Sequence, residues 1–131
     1  MSAKRIPGEV DPLDVLAIDS LLSDEELLGR DTVRRFVADK VLPEVGVWFD
    51  EGRFPAEMAK EFGALGLLGM HLEGMAAQGC PAQYGLACLE LEAGDSGVRS
   101  FVSVQGSLAM FPIWAFGSRN RRPLASRHGR G

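Results

Sequence analysis

From residue 23 to residue 41 apolar side chains recur at three- and four-residue intervals. Leu27, Leu28, Val33, Phe36, Val37 and Val41 form one stripe, and Arg30, Asp31, Arg34 and Arg35 fall outside it. That period predicts an amphipathic helix with the stripe buried and the charges in water. Its start is explicit in Ser23-Asp24-Glu25-Glu26. The Ser23 hydroxyl can accept from the Glu26 N–H while the Glu26 carboxylate reaches back, and Leu22 with Leu27 completes a hydrophobic staple. Pro43 ends or kinks the helix. Ahead of it, Pro, Gly and acids surround a short apolar run at 15–18. This predicts an extended arm over 1–22 that docks on the body.

The remaining pattern is also helical. Residues 44–53 predict a short helix carrying Val45, Trp48 and Phe49 and stopped by Gly52. Pro55 suits the first position of a helix over 56–64, with Gly66 as a left-handed C-cap. Leu67 and Leu68 read as a buried connection and 69–79 as a loop. Pro81 can open a helix over 83–93, where Tyr84, Leu86, Ala87, Cys88, Leu89 and Leu91 cover more than one face. Such a helix is expected at the centre. Asp95-Ser96-Gly97 breaks it and caps the next, and a Pro-started aromatic turn closes the stretch near 111–118. The β-rich run at 101–104 lies inside a helical window, where context overrides propensity. No strand alternation persists. The expected fold is all-α, an orthogonal or up-down helical bundle of one domain over 23–118, followed by a basic tail at 119–131.

Charge and composition then narrow the chemistry. The 131 residues suit one domain with a real core. Residues 119–131 hold five arginines and no acid, leaving nine basic against eighteen acidic side chains in the body. An acidic body, with a tail that has no aromatic for base stacking, argues against nucleic-acid binding. Two cysteines eight residues apart are no disulfide framework and no metal motif. No membrane span and no signal-peptide core is present in the sequence, so a cytoplasmic setting is expected.

The one stretch with candidate binding chemistry opens the helix after the Asp95 break. Arg99 offers a planar fork that matches a carboxylate bidentately, Ser100 adds a hydroxyl, and Ser103 follows one turn later on the same face. A helix N-terminus adds free N–H groups and a positive dipole end. The competing assignment is an Arg99 that pairs with Glu92 or Asp95 to tie two helices together. Asp95 itself reads as a cap. Tyr84, Trp48, Trp114 and Phe116 read as core, His71 as structural, and Cys80 and Cys88 as inert thiols with no base nearby.

LELEAGDSGVRSFVSVQGSLAMFPIWAFGS resembles the acyl-CoA dehydrogenase family, and within it the glutaryl-CoA dehydrogenase branch, through the pattern DSG-x-RS-x-x-SVQ-x-SL-x-M-x-PI. The resemblance covers most of 11–118, strongest at 24–40, 54–69 and 87–117, and is confined to the family's N-terminal helical domain. It implies that Arg99 and Ser100 hold the distal carboxylate of a glutaryl chain, and the helical spacing adds Ser103 as a third candidate substrate-binding residue. It further implies α,β-dehydrogenation of an acyl-CoA thioester by FAD and a glutamate base, then decarboxylation to crotonyl-CoA. No glutamate in this chain matches that base, so no catalytic residue is assigned and activity alone is not expected.

The likeness breaks at two places, 75–80 and 119–131. Residues 122–131 can be encoded so that reading one base later gives Gly-Arg-Trp-Leu-Pro-Gly-Met-Ala-Ala-Gly, the family's pattern. Residues 75–80 similarly give Tyr-Gly-Cys-Ala-Gly-Met after one added base. A frameshift is the expectation at both, with a disordered tail. The rival from another class is a stand-alone helical interaction module that self-associates through exposed apolar surface.

Overall fold

The computed structural model describes residues 15–72 and 81–118. Expectations for 1–14, for the 73–80 stretch with its frameshift and Cys80, and for the tail at 119–131 lie outside those residues. The described residues contain helices and turns and no strand, so the all-α expectation holds. No helix among them is long and apolar enough to cross a membrane.

Helix α1 (Asp24–Phe36) begins where the capping box places it. Glu26 N–H donates to Ser23 Oγ at 3.3 Å, and Ser23 N–H donates to the Glu26 carboxylate at 2.8 Å. α1 then widens into a π-type turn, Val37–Val41, marked by Leu42 N–H donating to Val37 C=O at 3.0 Å. Val33, Val37 and Val41 are buried, as expected, and Phe36 packs against them. Leu28 is 67% exposed, contrary to expectation. It lies five positions before Val33, roughly 140° around the helix, on the solvent side. Arg30 also corrects the sequence reading, because its side chain is only 10% exposed. It ion-pairs with Asp19 of the Ile18–Leu21 3-10 turn and donates to Asp31 at 2.8 Å. The end of the arm is thereby pinned to α1.

Helix α2 (Val45–Glu51) ends at Gly52 with a left-handed φ of 61°. Its Trp48 is buried, whereas Phe49 faces solvent. A 3-10 turn, Ala56–Met58, leads into α3 (Ala59–Ala64), and Gly66 takes the left-handed conformation at φ 72°. Phe62 of α3 sits at the centre, 5.8 Å from Phe36 and 5.9 Å from Phe101 between ring centroids. Leu67, Leu68 and Leu72 form the buried connection.

Helix α4 (Pro81–Gly94) packs on α1 along one side and on α5 (Ser96–Val104) along the other. It is central, although Leu89 is 60% exposed. Gly94 lets it approach α1 closely, since a Cβ there would stand 2.5 Å from Val37 Cγ1. α5 continues through a second π-type segment, Gln105–Met110, into α6 (Phe111–Phe116). The expected aromatic turn is thus helical, with Pro112 at the second position of α6. Phe116, read as core, is 84% exposed.

Candidate functional site

Asp95 is the one residue between α4 and α5, in extended backbone, and its carboxylate accepts from Val98 N–H at 2.7 Å. This cap folds α5 back along α4, and the polar faces of the two helices meet as a seam. From α4 the seam takes Tyr84, Cys88 and Glu92 at four-residue spacing. From α5 and its extension it takes Arg99, Ser103 and Gly106.

At one end Arg99 Nε donates to Glu92 Oε2 at 2.5 Å, and Arg99 Nη1 reaches Ser103 Oγ at 3.3 Å. Ser96 Oγ donates to the other Glu92 oxygen at 2.5 Å. The hydrogen bonds from Ser96 and then Arg99 hold the Glu92 carboxyl below its ordinary range, and Glu92 in turn holds Arg99 above its own. Two edges of the guanidinium are therefore fixed. Nη2 is left without a protein partner among the described residues.

At the other end the Tyr84 ring lies 4.9 Å from the His71 ring. His71 in turn covers Gly106, where a Cβ would stand 2.8 Å from His71 Cε1. His71 Nδ1 is buried with no hydrogen-bond partner among the described residues. Burial, followed by interaction with Cys88, pushes the Tyr84 phenol up to about 12. The charge of Arg99 acts on both Tyr84 and Cys88.

Of the three residues expected to act together, the fold joins Arg99 and Ser103. The Ser103 hydroxyl, however, is already spent on the Ser100 carbonyl at 3.1 Å. Ser100 is not brought onto Arg99 by any contact, and its hydroxyl has no partner among the described residues. The helix-tying alternative is realised as well, through Glu92 and not Asp95. The sequence reading assigned Tyr84 to the core and Cys88 to inert packing. The missed signal was the 84–88–92 spacing opposite 99–103–106.

Arg30, Arg34, Lys40, Arg53 and Arg99 are each ion-paired with carboxylates. Among the described residues no group of three or more His, Cys, Asp or Glu could hold a metal ion.

Residues 23–123 match the family described as acyl-CoA dehydrogenase, N-terminal domain. The chain belongs to the acyl-CoA dehydrogenase N-terminal domain family. Among relatives of this acyl-CoA dehydrogenase domain is the short-chain specific acyl-CoA dehydrogenase, mitochondrial, of Bos taurus. It is 32% identical over 103 residues, spanning 77% of this chain and 25% of that protein. Two solved structures of glutaryl-CoA dehydrogenase from Mycobacterium smegmatis are similar to it. One, in complex with FADH2, superposes with a TM-score of 0.87 at 48% identity, and the other with 0.86 at 49%. Each covers 93% of this chain, which spans 32% of theirs. The acyl-CoA dehydrogenase domain thus corresponds to about a third of those proteins and a quarter of the bovine one.

Proposed function

We propose that this domain supplies the distal-carboxylate subsite of a glutaryl-CoA-type acyl-CoA dehydrogenase. Arg99 is its charged anchor, Ser100 is the hydroxyl left to donate, and Ser103, which accepts from Arg99 Nη1, positions the guanidinium. The observation that carries the reading is the state of Arg99. Its Nε is fixed by Glu92 and its Nη1 is near Ser103, one turn further along α5, which leaves the Nη2 donors for a planar anion. A guanidinium held this way gives up less side-chain entropy on binding than a free one. The likeness to glutaryl-CoA dehydrogenases, at 48% and 49% identity, supports the choice of a five-carbon dicarboxylic acyl chain.

In the whole enzyme this reading implies FAD-dependent oxidation of glutaryl-CoA with decarboxylation to crotonyl-CoA, in the cytoplasm. Binding and orientation of the acyl chain, not turnover, is the part assigned to these residues, and no step is routed through the flavin. The test is calorimetric. The wild-type chain is expected to bind glutaryl-CoA more tightly than butyryl-CoA, and Arg99→Gln to lose that preference by about tenfold or more while leaving butyryl-CoA unchanged. Equal losses for both esters would remove Arg99 from the carboxylate role.

A further inference from the structure

The end of the arm is fastened by charge where its apolar run promised hydrophobic docking. Val15, Leu16, Ile18 and Leu21 all face solvent, and Asp19 ties this stretch to α1 by its ion pair with Arg30. The turn is also held against backbone preference. Ala17, just before it, has a left-handed φ of 54°, which disfavours any residue with a Cβ. Ser20 O–H donates to Ala17 C=O at 2.7 Å and Leu22 N–H to Asp19 C=O at 3.3 Å, closing the chain around that point. A segment with exposed apolar side chains, a strained residue and an ionic attachment belongs to the part of a fold that opens first.

The attachment does not stop at Arg30. Its Nε and Nη2 donate to Asp31 Oδ1 at 3.0 and 2.8 Å, and the same oxygen lies 4.0 Å from Arg34 Nη1. Arg34 carries the row to α4, donating to the Glu90 carboxylate at 2.9 and 2.7 Å. The charges alternate in sign from Asp19 to Glu90. The two arginines stand one turn apart on α1, where like charges repel, and Asp31 is placed between them. Arg30 and Glu90 are buried, with side chains 10% and 6% exposed, and each depends on wetter neighbours for its counter-charge.

We propose that residues 15–22 form a releasable strap, with Asp19–Arg30 as its latch and Asp31 and Arg34 as the relay that passes the state of the latch to Glu90 on α4. With the latch closed, Asp19 and Asp31 together offset Arg30. With it open, Arg30 draws more fully on Asp31, less of that carboxylate is left for Arg34, and the repulsion between the arginines bears on the Arg34–Glu90 clasp. Glu92, two positions beyond Glu90 and roughly 200° around α4, pairs with Arg99. The row therefore ends on the helix that forms one wall of the seam.

Amide hydrogen exchange on the full chain, followed segment by segment, tests both parts. In Asp19→Asn the amides of 18–22 are expected to exchange about fivefold faster than in the wild type, the size expected of one partly exposed ion pair. Those around Glu90 are expected to exchange about threefold faster, while those of α3, in the same core but off the row, keep wild-type rates. Asp19→Glu, which keeps the charge, is expected to stay near the wild type. With Arg34→Met in the background, Asp19→Asn is expected to free 18–22 as before and leave the rates around Glu90 where Arg34→Met alone puts them. Unchanged rates at 18–22 in Asp19→Asn overturn the latch. An acceleration around Glu90 that persists without Arg34, or one shared by α3, overturns the relay. The wild type supplies a readout without substitution: raising NaCl from about 10 mM to about 1 M screens the half-exposed pair and is expected to speed exchange at 18–22. Salt-insensitive rates there overturn the latch even if Asp19→Asn does not fold.

Discussion

Glu92 does two jobs through one carboxylate, accepting from Ser96 Oγ with one oxygen and from Arg99 Nε with the other. Both bonds favour its ionised form, so its folded pKa lies below the unfolded value. A depressed carboxyl contributes stability that is present above the unfolded pKa and lost as pH falls through the folded one. Thermal melts taken from neutral pH down through the glutamate range are therefore expected to lose stability more steeply in the wild type than in Glu92→Gln. Parallel curves would show that the Ser96–Glu92–Arg99 row adds nothing to the fold. At this scale the sequence was legible where spacing alone decides contact. The Ser23–Glu26 box and the Asp95 cap follow from three-residue offsets within one segment, and both form. The partners of Arg99 were legible only as a choice, because whether an arginine meets Glu92 or Asp95 depends on how α4 and α5 cross.

The crossing of α1 with α4 shows what a single hydrogen can decide between elements. Gly94 ends α4 against the Val37–Val41 turn, and an added Cβ would lie 2.5 Å from Val37 Cγ1 and 3.4 Å from Val41 Cγ1. Alanine is the better helix former by up to about 1 kcal/mol. The β-branched Val37 has little rotamer freedom to give way, so overpacking outweighs that gain. Gly94→Ala is expected to destabilise by about 1–3 kcal/mol, read as a lower denaturation midpoint at unchanged slope. A raised midpoint would mean that α1 and α4 can separate freely. Most elements were legible from the apolar period, including the helical fate of 101–104, although 111–116, read as a turn, is helical. Two features were not. The π-type turns at Val37–Val41 and Gln105–Met110 shift the phase of the apolar stripe, and no local signal announces them. Leu28 and Phe116 were assigned to the core, Leu89 to a central helix and Phe49 to a short one, yet each points away from the packed faces. Apolar character says what a residue prefers, and helix phase says what it gets.

Across the whole molecule, α1 and α4 are joined by a charged clasp inside an otherwise apolar interface. Arg34 donates from Nε to Glu90 Oε2 at 2.9 Å and from Nη2 to Glu90 Oε1 at 2.7 Å, a two-pronged pair across 56 positions of sequence. The partners are unequally placed: the Glu90 side chain is 6% exposed and that of Arg34 is 50% exposed. Removing the arginine leaves a buried carboxylate without its cation, whereas removing both charges leaves an apolar contact. The half-exposed guanidinium is screened by water, which lowers its worth below that of a fully buried pair. Arg34→Met alone is expected to cost about 2 kcal/mol of unfolding free energy. The double variant Arg34→Met with Glu90→Leu is expected to recover most of that loss, because burying the carboxylate cost more than the pair returned. A double-mutant cycle in denaturant decides between this and the alternative that the clasp sets the packing of α1 on α4. In the alternative, the double variant stays as unstable as the single one and unfolds with a shallower slope, the sign of a loosened native state.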